Sequence, residues 1–240
     1  AQVFGELIGF WCAVTWGQMG APGTVDLVEL GPGRGTLMAD ALRAAQGIQG
    51  GVQGFRAALS LHLVETSPRL REVQRQALAH GAPEPRWVDH LSAVAEGPRL
   101  LLANEFVDAL PVHQLVRTDA GWCERRVDLD PSGDGLRFVL SRPTPGAAAM
   151  VPAPLQGTPV GGLVEVRPAA SALIAAIAGT LVRYGGAALI IDYGPAKSAP
   201  GDSLQAVRGH EFADVLGDPG TADITAHVDF QALAAAAQDA

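Results

Sequence analysis

The sequence predicts an α/β fold: a parallel sheet with helices on both faces, into which an antiparallel β-meander is inserted. Three observations carry that prediction. Short apolar runs alternate with helical patterns between residues 25 and 104. Each run ends in polar residues, as strands do when they feed loops at one edge of a parallel sheet. Residues 112–141 then break the rhythm with three alternating segments, His113 to Arg117, Trp122 to Leu129 and Leu136 to Leu140. Asp119-Ala120-Gly121 and Pro131-Ser132-Gly133 punctuate them as turns.

Taken in order, residues 3–19 place Phe4, Leu7, Ile8, Trp11 and Val14 on one helical stripe, which predicts the buried face of a first helix. Gly20 to Gly23, with Pro22, ends it before a strand at 25–30. A helix starting near Thr36 carries Leu37, Ala41, Leu42 and Ala45, and a Gly/Gln-rich connector runs from Gly47 to Gly54. Leu59 to Val64 is a second strand. Ser67 then reads as an N-cap and Pro68 as the first residue of a helix over 69–80. Arg86 to Val88 and Arg99 to Ala103 are further strands. The Pro/Gly/Ala stretch 142–162 reads as a flexible loop, and Val164 and Val166 return a strand. Pro168 starts a helix over 169–183, and Ala187 to Ile191 reads as a central strand ending in Asp192-Tyr193-Gly194. Ser203 to Val207 is a strand, and Asp229 caps a last helix.

Leu27 to Leu37 organises the rest: a strand, then Gly31, Gly33 and Gly35, then a helix. Glycine allows a sharp turn and close approach of a ligand, because no Cβ blocks either. The opening N–H groups of the helix face whatever sits on that turn. The spacing is not that of a dinucleotide loop, whose third glycine comes three residues after the second and whose acid follows about 20 residues on. Here Thr36 stands three after Gly33, and the next acid ending a strand is Glu65. Glu29, two residues before the first glycine, would repel a pyrophosphate but suits a cation. S-adenosylmethionine (SAM) carries an ammonium and a sulfonium and no phosphate.

With 240 residues, 48% of them hydrophobic, the chain has enough material for one sizeable core. The formal net charge is −8 with no basic run, which argues against nucleic acid as a partner. Cys12 and Cys123 lie far apart without metal-ligand spacing, so they read as small buried hydrophobes rather than a disulfide or a metal site. No apolar run reaches membrane length, and the start is not a signal peptide.

In an open α/β sheet, ligands bind beyond the carboxyl ends of the strands. Glu29 with the glycines and Thr36, Glu65 with Thr66, Asp89 with His90 and Leu91, and Asn104 with Glu105 stand at four such ends. Glu65 is placed to accept from both ribose hydroxyls and Asp89 to take the adenine amino group, with His90 and Leu91 beside the ring. Asn104 falls beside the reactive end.

Three segments, Val28-Glu29-Leu30-Gly31-Pro32-Gly33-Arg34-Gly35-Thr36-Leu37, Ala103-Asn104-Glu105-Phe106-Val107-Asp108-Ala109-Leu110-Pro111 and Asp223-Ile224-Thr225-Ala226-His227-Val228-Asp229-Phe230, resemble the MidA family. The resemblance covers essentially the whole chain from Gln2. These are SAM-dependent methyltransferases that include a mitochondrial complex I assembly factor acting as a protein arginine methyltransferase. The resemblance implies a Rossmann-like class I methyltransferase domain over 1–240, cut short at both ends, with an insertion at about 112–163. It implies symmetric dimethylation of an arginine on a respiratory complex I subunit, in the mitochondrial matrix for a eukaryotic protein or the cytoplasm for a bacterial one. The family's Gly-Asp-Phe-Thr loop, which would precede Gln2, and its last strand region are absent.

Methyl transfer to arginine must overcome a guanidinium that is always protonated. Carboxylates can grip its planar fork and localise charge away from the attacking nitrogen. Glu105 and Asp108, three apart, would share a face if a helical turn begins there, and they are the candidates for that grip. Capping a helix start is their alternative role. His227 is the other substrate-side candidate, against a role satisfying backbone groups. The insertion and the 142–162 loop are expected to wall the substrate. A small-molecule acceptor and a non-catalytic assembly module are the rival readings, and nothing in the sequence fixes an oligomeric state.

Overall fold

The computed structural model describes residues 2–47, 54–79, 83–133 and 135–240. Residues 48–53, within the Gly47–Gly54 connector, and His80, at the end of the expected 69–80 helix, lie outside the described residues. In chain order the elements are α1 (Gln2–Gln18), β1 (Val25–Leu30), α2 (Thr36–Gly47), α3 (Phe55–Ala58), β2 (Leu59–Val64), α4 (Pro68–Leu78), β3 (Arg86–Val88) and β4 (Arg99–Asn104). There follow β5 (His113–Thr118), β6 (Gly121–Leu129), β7 (Leu136–Leu140), α5 (Pro145–Met150), β8 (Leu163–Val166), α6 (Pro168–Tyr184) and β9 (Gly186–Ile191). The chain ends with β10 (Gln205–Arg208), β11 (Glu211–Ala213), β12 (Asp223–Thr225) and α7 (Phe230–Gln238). Two compact units divide it: unit 1 is Ala1–Phe106 with Ala176–Ile191, and unit 2 is Val107–Ala175 with Asp192–Ala240.

Unit 1 holds a parallel sheet of order β3-β2-β1-β4-β9. Leu27, Leu61, Leu63, Leu100 and Leu102 are buried in its core with Cys12, Trp16 and Met38. The carboxyl ends run in step: Leu30 pairs with Val64 and with Ala103, and Val64 pairs with Val88. The ladder continues one residue past each strand. The N–H groups of Gly31, Glu65 and Glu105 donate to Val64, Val88 and Ile191 carbonyls at 3.1, 3.1 and 2.8 Å. Those bonds anchor the first residue of each loop to the neighbouring strand.

Two expectations are corrected in unit 1. The buried face of α1 is Gly5, Ile8, Gly9, Cys12, Ala13 and Trp16, while Phe4 and Leu7 from the expected stripe are exposed. Small residues win because α1 lies backbone-close on α2: a Cβ on Gly9 would stand 2.3 Å from the Ala41 carbonyl oxygen. Ala187 to Ile191 is an edge strand among the described residues, not a central one, because β9 pairs only with β4. Its residues are accordingly half-buried.

Unit 2 holds the predicted meander as an antiparallel sheet of order β7-β6-β5-β8, and a small sheet of order β11-β10-β12 that the sequence pattern showed only as β10. The 142–162 stretch is not the expected open loop. Thr144 Oγ1 accepts the Ala147 N–H at 3.0 Å and Pro145 opens α5, a capped helix start. Ala147, Val151 and Leu155 are buried against Leu115, Trp122 and Val164. Among the described residues no helix is long and apolar enough to cross a membrane.

The α1–α2 contact makes a prediction. Gly9→Val, which forces the helices apart, should lower unfolding free energy by about 2 kcal/mol or more. Leu7→Ala, on the exposed face, should stay within about 0.5 kcal/mol. Urea unfolding of both variants checks this.

Candidate functional site

The glycine loop closes on itself through a Gly35 N–H to Pro32 carbonyl bond of 2.7 Å. All three glycines have positive φ: 59° at Gly31, 52° at Gly33 and 77° at Gly35. Their surroundings differ. A Cβ on Gly31 would stand 2.6 Å from the Phe106 ring, so the first motif interlocks with the second, and one on Gly35 would press on Gln74. A Cβ on Gly33 would meet nothing within 4 Å. Gly33 therefore faces open space, the side from which a ligand can approach the backbone.

On β1, two residues before Gly31, Glu29 is 3% exposed, and its Oε2 has no hydrogen-bond partner among the described residues. Burial raises its pKa from 4.5 to about 8. Burial, and secondarily the neighbouring Glu29, pushes the Cys12 thiol up to about 12, which suits a packing role for that side chain. A buried acid without a partner is costly unless a cation completes it. A buried acid two residues before the glycine loop fits a cationic nucleoside such as SAM.

The residue that joins this loop to the second strand is Gln74, 0% exposed on α4. Its Nε2 donates to the Gly33 carbonyl at 2.9 Å and to Glu65 Oε2 at 3.1 Å, and its Oε1 accepts from Trp87 Nε1 at 2.7 Å. Glu65 Oε1 accepts the Ser67 N–H at 2.7 Å, so the carboxylate is held at both oxygens while each keeps a lone pair for a further donor. Arg71 donates to the Glu65 carbonyl through Nε at 2.7 Å and through Nη2, and Nη2 also reaches Asp89 Oδ1 at 2.8 Å. One guanidinium thus ties the ends of β2 and β3. Thr36, Thr66, Asp89 and His90 are exposed, and Leu91 and Asn104 are half-buried. Glu29, Gly31, Glu65, Asp89 and Asn104 all stand at the carboxyl ends of the parallel strands.

Sequence reasoning missed Gln74 and Arg71. The signal for Gln74 was present: it lies four residues from both Leu70 and Leu78, on the inward stripe of α4. Arg71 gave none, since one arginine among several on a polar helix looks like surface charge.

The helical turn expected to carry Glu105 and Asp108 does not form. Glu105 has φ of +46°, which no right-handed helix contains and which costs a non-glycine residue about 1 kcal/mol. Glu105 belongs to unit 1 and is exposed; Asp108 belongs to unit 2. Val107 to Leu110 closes as a turn instead, with the Leu110 N–H on the Val107 carbonyl at 3.1 Å. Side chains satisfy the backbone that a helix would have satisfied. Asp192 Oδ2 accepts the N–H groups of Val107 and Asp108 at 2.9 and 3.1 Å. Arg167 Nη1 donates to the carbonyls of Val107, Asp108 and Leu110 at 3.3, 3.0 and 2.6 Å. Burial lowers the Arg167 pKa, partly offset by Glu165, Asp108 and Asp192.

Unit 2 does bring the Asp108 turn to the His227 segment. The Ala226 N–H donates to the Asp108 carbonyl at 3.2 Å, and the His227 N–H donates to Ser203 Oγ at 2.8 Å. The His227 side chain is exposed at a cavity of about 220 Å³ that Val166, Arg167 and Leu233 also line. Neither Asp192 nor Arg167 was singled out from the sequence, where both read as ordinary charges flanking a strand and a helix.

Two predictions follow from unit 1. Gly33→Asn, a residue that tolerates left-handed backbone, adds only bulk on the open side and should weaken SAM binding by about 100-fold, or about 2.7 kcal/mol, with the melting temperature nearly unchanged; calorimetry reads it. Glu29 must ionise to meet a cation, so SAM binding at pH 7 should release a proton. Its affinity should rise with pH, at most about tenfold per unit, until about 8. The sign for stability is the reverse. With its folded pKa raised, Glu29 costs the ligand-free protein nothing below 4.5 and a growing penalty from 4.5 to about 8. Glu29→Gln should remove both pH dependences, read by titration calorimetry and thermal melts across that range.

The comparisons with known proteins agree with this geometry. Residues 7–240 match the family described as "Putative S-adenosyl-L-methionine-dependent methyltransferase". The protein arginine methyltransferase NDUFAF7, mitochondrial, of Xenopus tropicalis is 39% identical over 251 residues, covering 96% of this chain and 57% of its own. The mouse protein of that name is 41% identical, covering 99% and 58%, and the human one 38%, covering 99% and 57%. A crystal structure of a COG1565 superfamily member from Burkholderia thailandensis bound to S-adenosyl-homocysteine superposes with a TM-score of 0.77. It is 29% identical and covers 100% of this chain and 61% of that one. The chain thus spans about three fifths of the length of the relatives it matches. With its glycine loop, buried acid and strand-end carboxylates in that setting, the chain belongs to the S-adenosyl-L-methionine-dependent methyltransferase family.

Proposed function

We propose that this protein transfers a methyl group from SAM to an arginine side chain of another protein. The observation that carries the cofactor half is Glu29, a buried acid whose Oε2 has no partner among the described residues, two residues before a loop that is open at Gly33. The protein half rests on the relatives, whose names state protein arginine methyltransferase. We assign cofactor binding to Glu29, Gly31, Gly33, Gly35, Thr36, Glu65, Thr66, Asp89, His90, Leu91 and Asn104.

Bound SAM supplies an electrophilic sulfonium methyl. The chain's own residues must then place and polarise the acceptor. Positioning carries much of such a displacement, because the reacting atoms need only the right distance and line. Glu105 and Asp108 are each assigned to the acceptor guanidinium, where a carboxylate would draw charge away from the attacking nitrogen. Glu105 is exposed and held in a strained backbone state, a combination that recurs at functional sites. His227 is assigned to the substrate side. From the family resemblance we extend the reading to symmetric dimethylation, to a complex I subunit as substrate, and to the mitochondrial matrix or, for a bacterial protein, the cytoplasm.

The test is methyl incorporation from labelled SAM into a library of arginine-containing peptides, with products resolved by mass spectrometry. Methylated arginine is the expected result. Transfer to small molecules alone, or no SAM affinity at millimolar ligand, would overturn the reading. Glu105→Gln should lower turnover by about 100-fold or more while SAM affinity stays within about twofold, and an unimpaired rate would remove it from catalysis.

A further inference from the structure

We propose that Arg167 is a positioning residue for methyl transfer: its guanidinium ties the Val107–Leu110 turn to the chain at Ala226 and so holds Asp108 and His227 in one register. The proposal rests on the methyl-transfer reading above for its role, and on unit 2 alone for its geometry.

A guanidinium has five N–H donors in a planar fork and no acceptor. Arg167 spends that fork on main-chain carbonyls, three within the turn through Nη1 and the Ala226 carbonyl through Nη2. Those two segments belong to different parts of the chain, and among the described residues no strand ladder joins them. The Ala226 N–H donates to the Asp108 carbonyl at 3.2 Å, and Asp108's carbonyl is itself one of Arg167's acceptors. The other pole of the turn is held by Asp192, which takes the Val107 and Asp108 N–H groups on one oxygen. A carboxylate on the donors and a guanidinium on the acceptors fix the turn from both ends, with no helix needed.

Strand β8 makes the clamp rigid. It pairs with β5, and Val164 within it is 0% exposed. Alternate residues near its end do related work. Glu165 accepts from Ser203 N at 3.2 Å and from Ser203 Oγ, and Ser203 Oγ in turn accepts the His227 N–H at 2.8 Å. Two residues on, Arg167 holds Ala226 and the Asp108 turn. One strand end thus fixes the backbone on both sides of the Ala226–His227 peptide. Displacing a reacting group by about 1 Å can cost about 100-fold in rate, so the clamp should act on turnover rather than on cofactor affinity.

The test compares wild type, Arg167→Ala and Ser203→Ala, the second a milder break one bond along the same network. Each is assayed for thermal melting, for S-adenosyl-homocysteine affinity by calorimetry, for kcat and KM on the best acceptor peptide of the library, and for hydrogen exchange at the Ala226 amide. We expect kcat to fall by about 100-fold in Arg167→Ala and about tenfold in Ser203→Ala, with KM and cofactor affinity within about twofold. Ala226 exchange should quicken in Arg167→Ala. A wild-type kcat in both variants, or a rise in KM alone, would overturn the proposal. If Arg167→Ala fails to fold, Ser203→Ala decides it. An inactive wild type would count against the methyl-transfer reading instead. The clamp itself is still judged then by exchange, and unchanged protection of Ala226 would sink it.

Discussion

The carboxyl edge of the parallel sheet depends on one buried amide. Gln74 reaches the glycine loop through the Gly33 carbonyl, the end of β2 through Glu65, and β3 through Trp87, from a position with no solvent exposure. A side-chain amide can do this because it donates twice and accepts at one oxygen. Buried polar networks are expensive when half-satisfied and rigid when complete. Here both amide ends are in use, so the loop, the acid that follows β2 and the indole behind them share one geometry. Arg71 extends the same scaffold outward to Asp89. The strands bring the acids to one edge, and α4 decides where they point.

Against that satisfied frame, Glu29 Oε2 is buried with no hydrogen-bond partner among the described residues. Burial raises its pKa to about 8, which disfavours the charged form of an acid that water would leave ionised at neutral pH. Burying an acid in this way is costly, and the cost falls as a cation or hydrogen-bond donor comes near it. The open approach at Gly33 and the close packing at Gly31 and Gly35 divide the work of the loop. At Gly31 and Gly35 the absent Cβ leaves room for Phe106 and Gln74, and at Gly33 it leaves open space.

Unit 2 solves a different problem, the fixing of irregular chain. The turn at Val107–Leu110 has backbone groups with no ladder or helix to join, and its stability comes from charged side chains aimed at the main chain. Asp192 and Arg167 are therefore not a salt-bridge pair in search of charge balance. Each is aimed at a pole of the turn, and each would be costly to remove because buried backbone groups would be left bare.

The sequence by itself determined the alternation of strands and helices from β1 to β4, the parallel character of the first sheet, the meander and the place of each strand-end acid. These follow from local periodicity, turn chemistry and capping, which neighbouring residues settle among themselves. It also showed the cofactor class, through the spacing of Glu29 from the glycines. Tertiary structure alone decided which face of α1 is buried, because close helix contact favours Gly5 and Gly9 over the larger side chains that dominate a hydrophobic pattern. It alone denied Glu105 and Asp108 a helix and showed α5 packed where composition suggested a loop. And it alone singled out Gln74, Arg71, Asp192 and Arg167, whose value lies in partners 41, 18, 85 and 60 residues away in the chain. Polar side chains have no periodic signature for such distant partners, so only the folded chain shows what they hold.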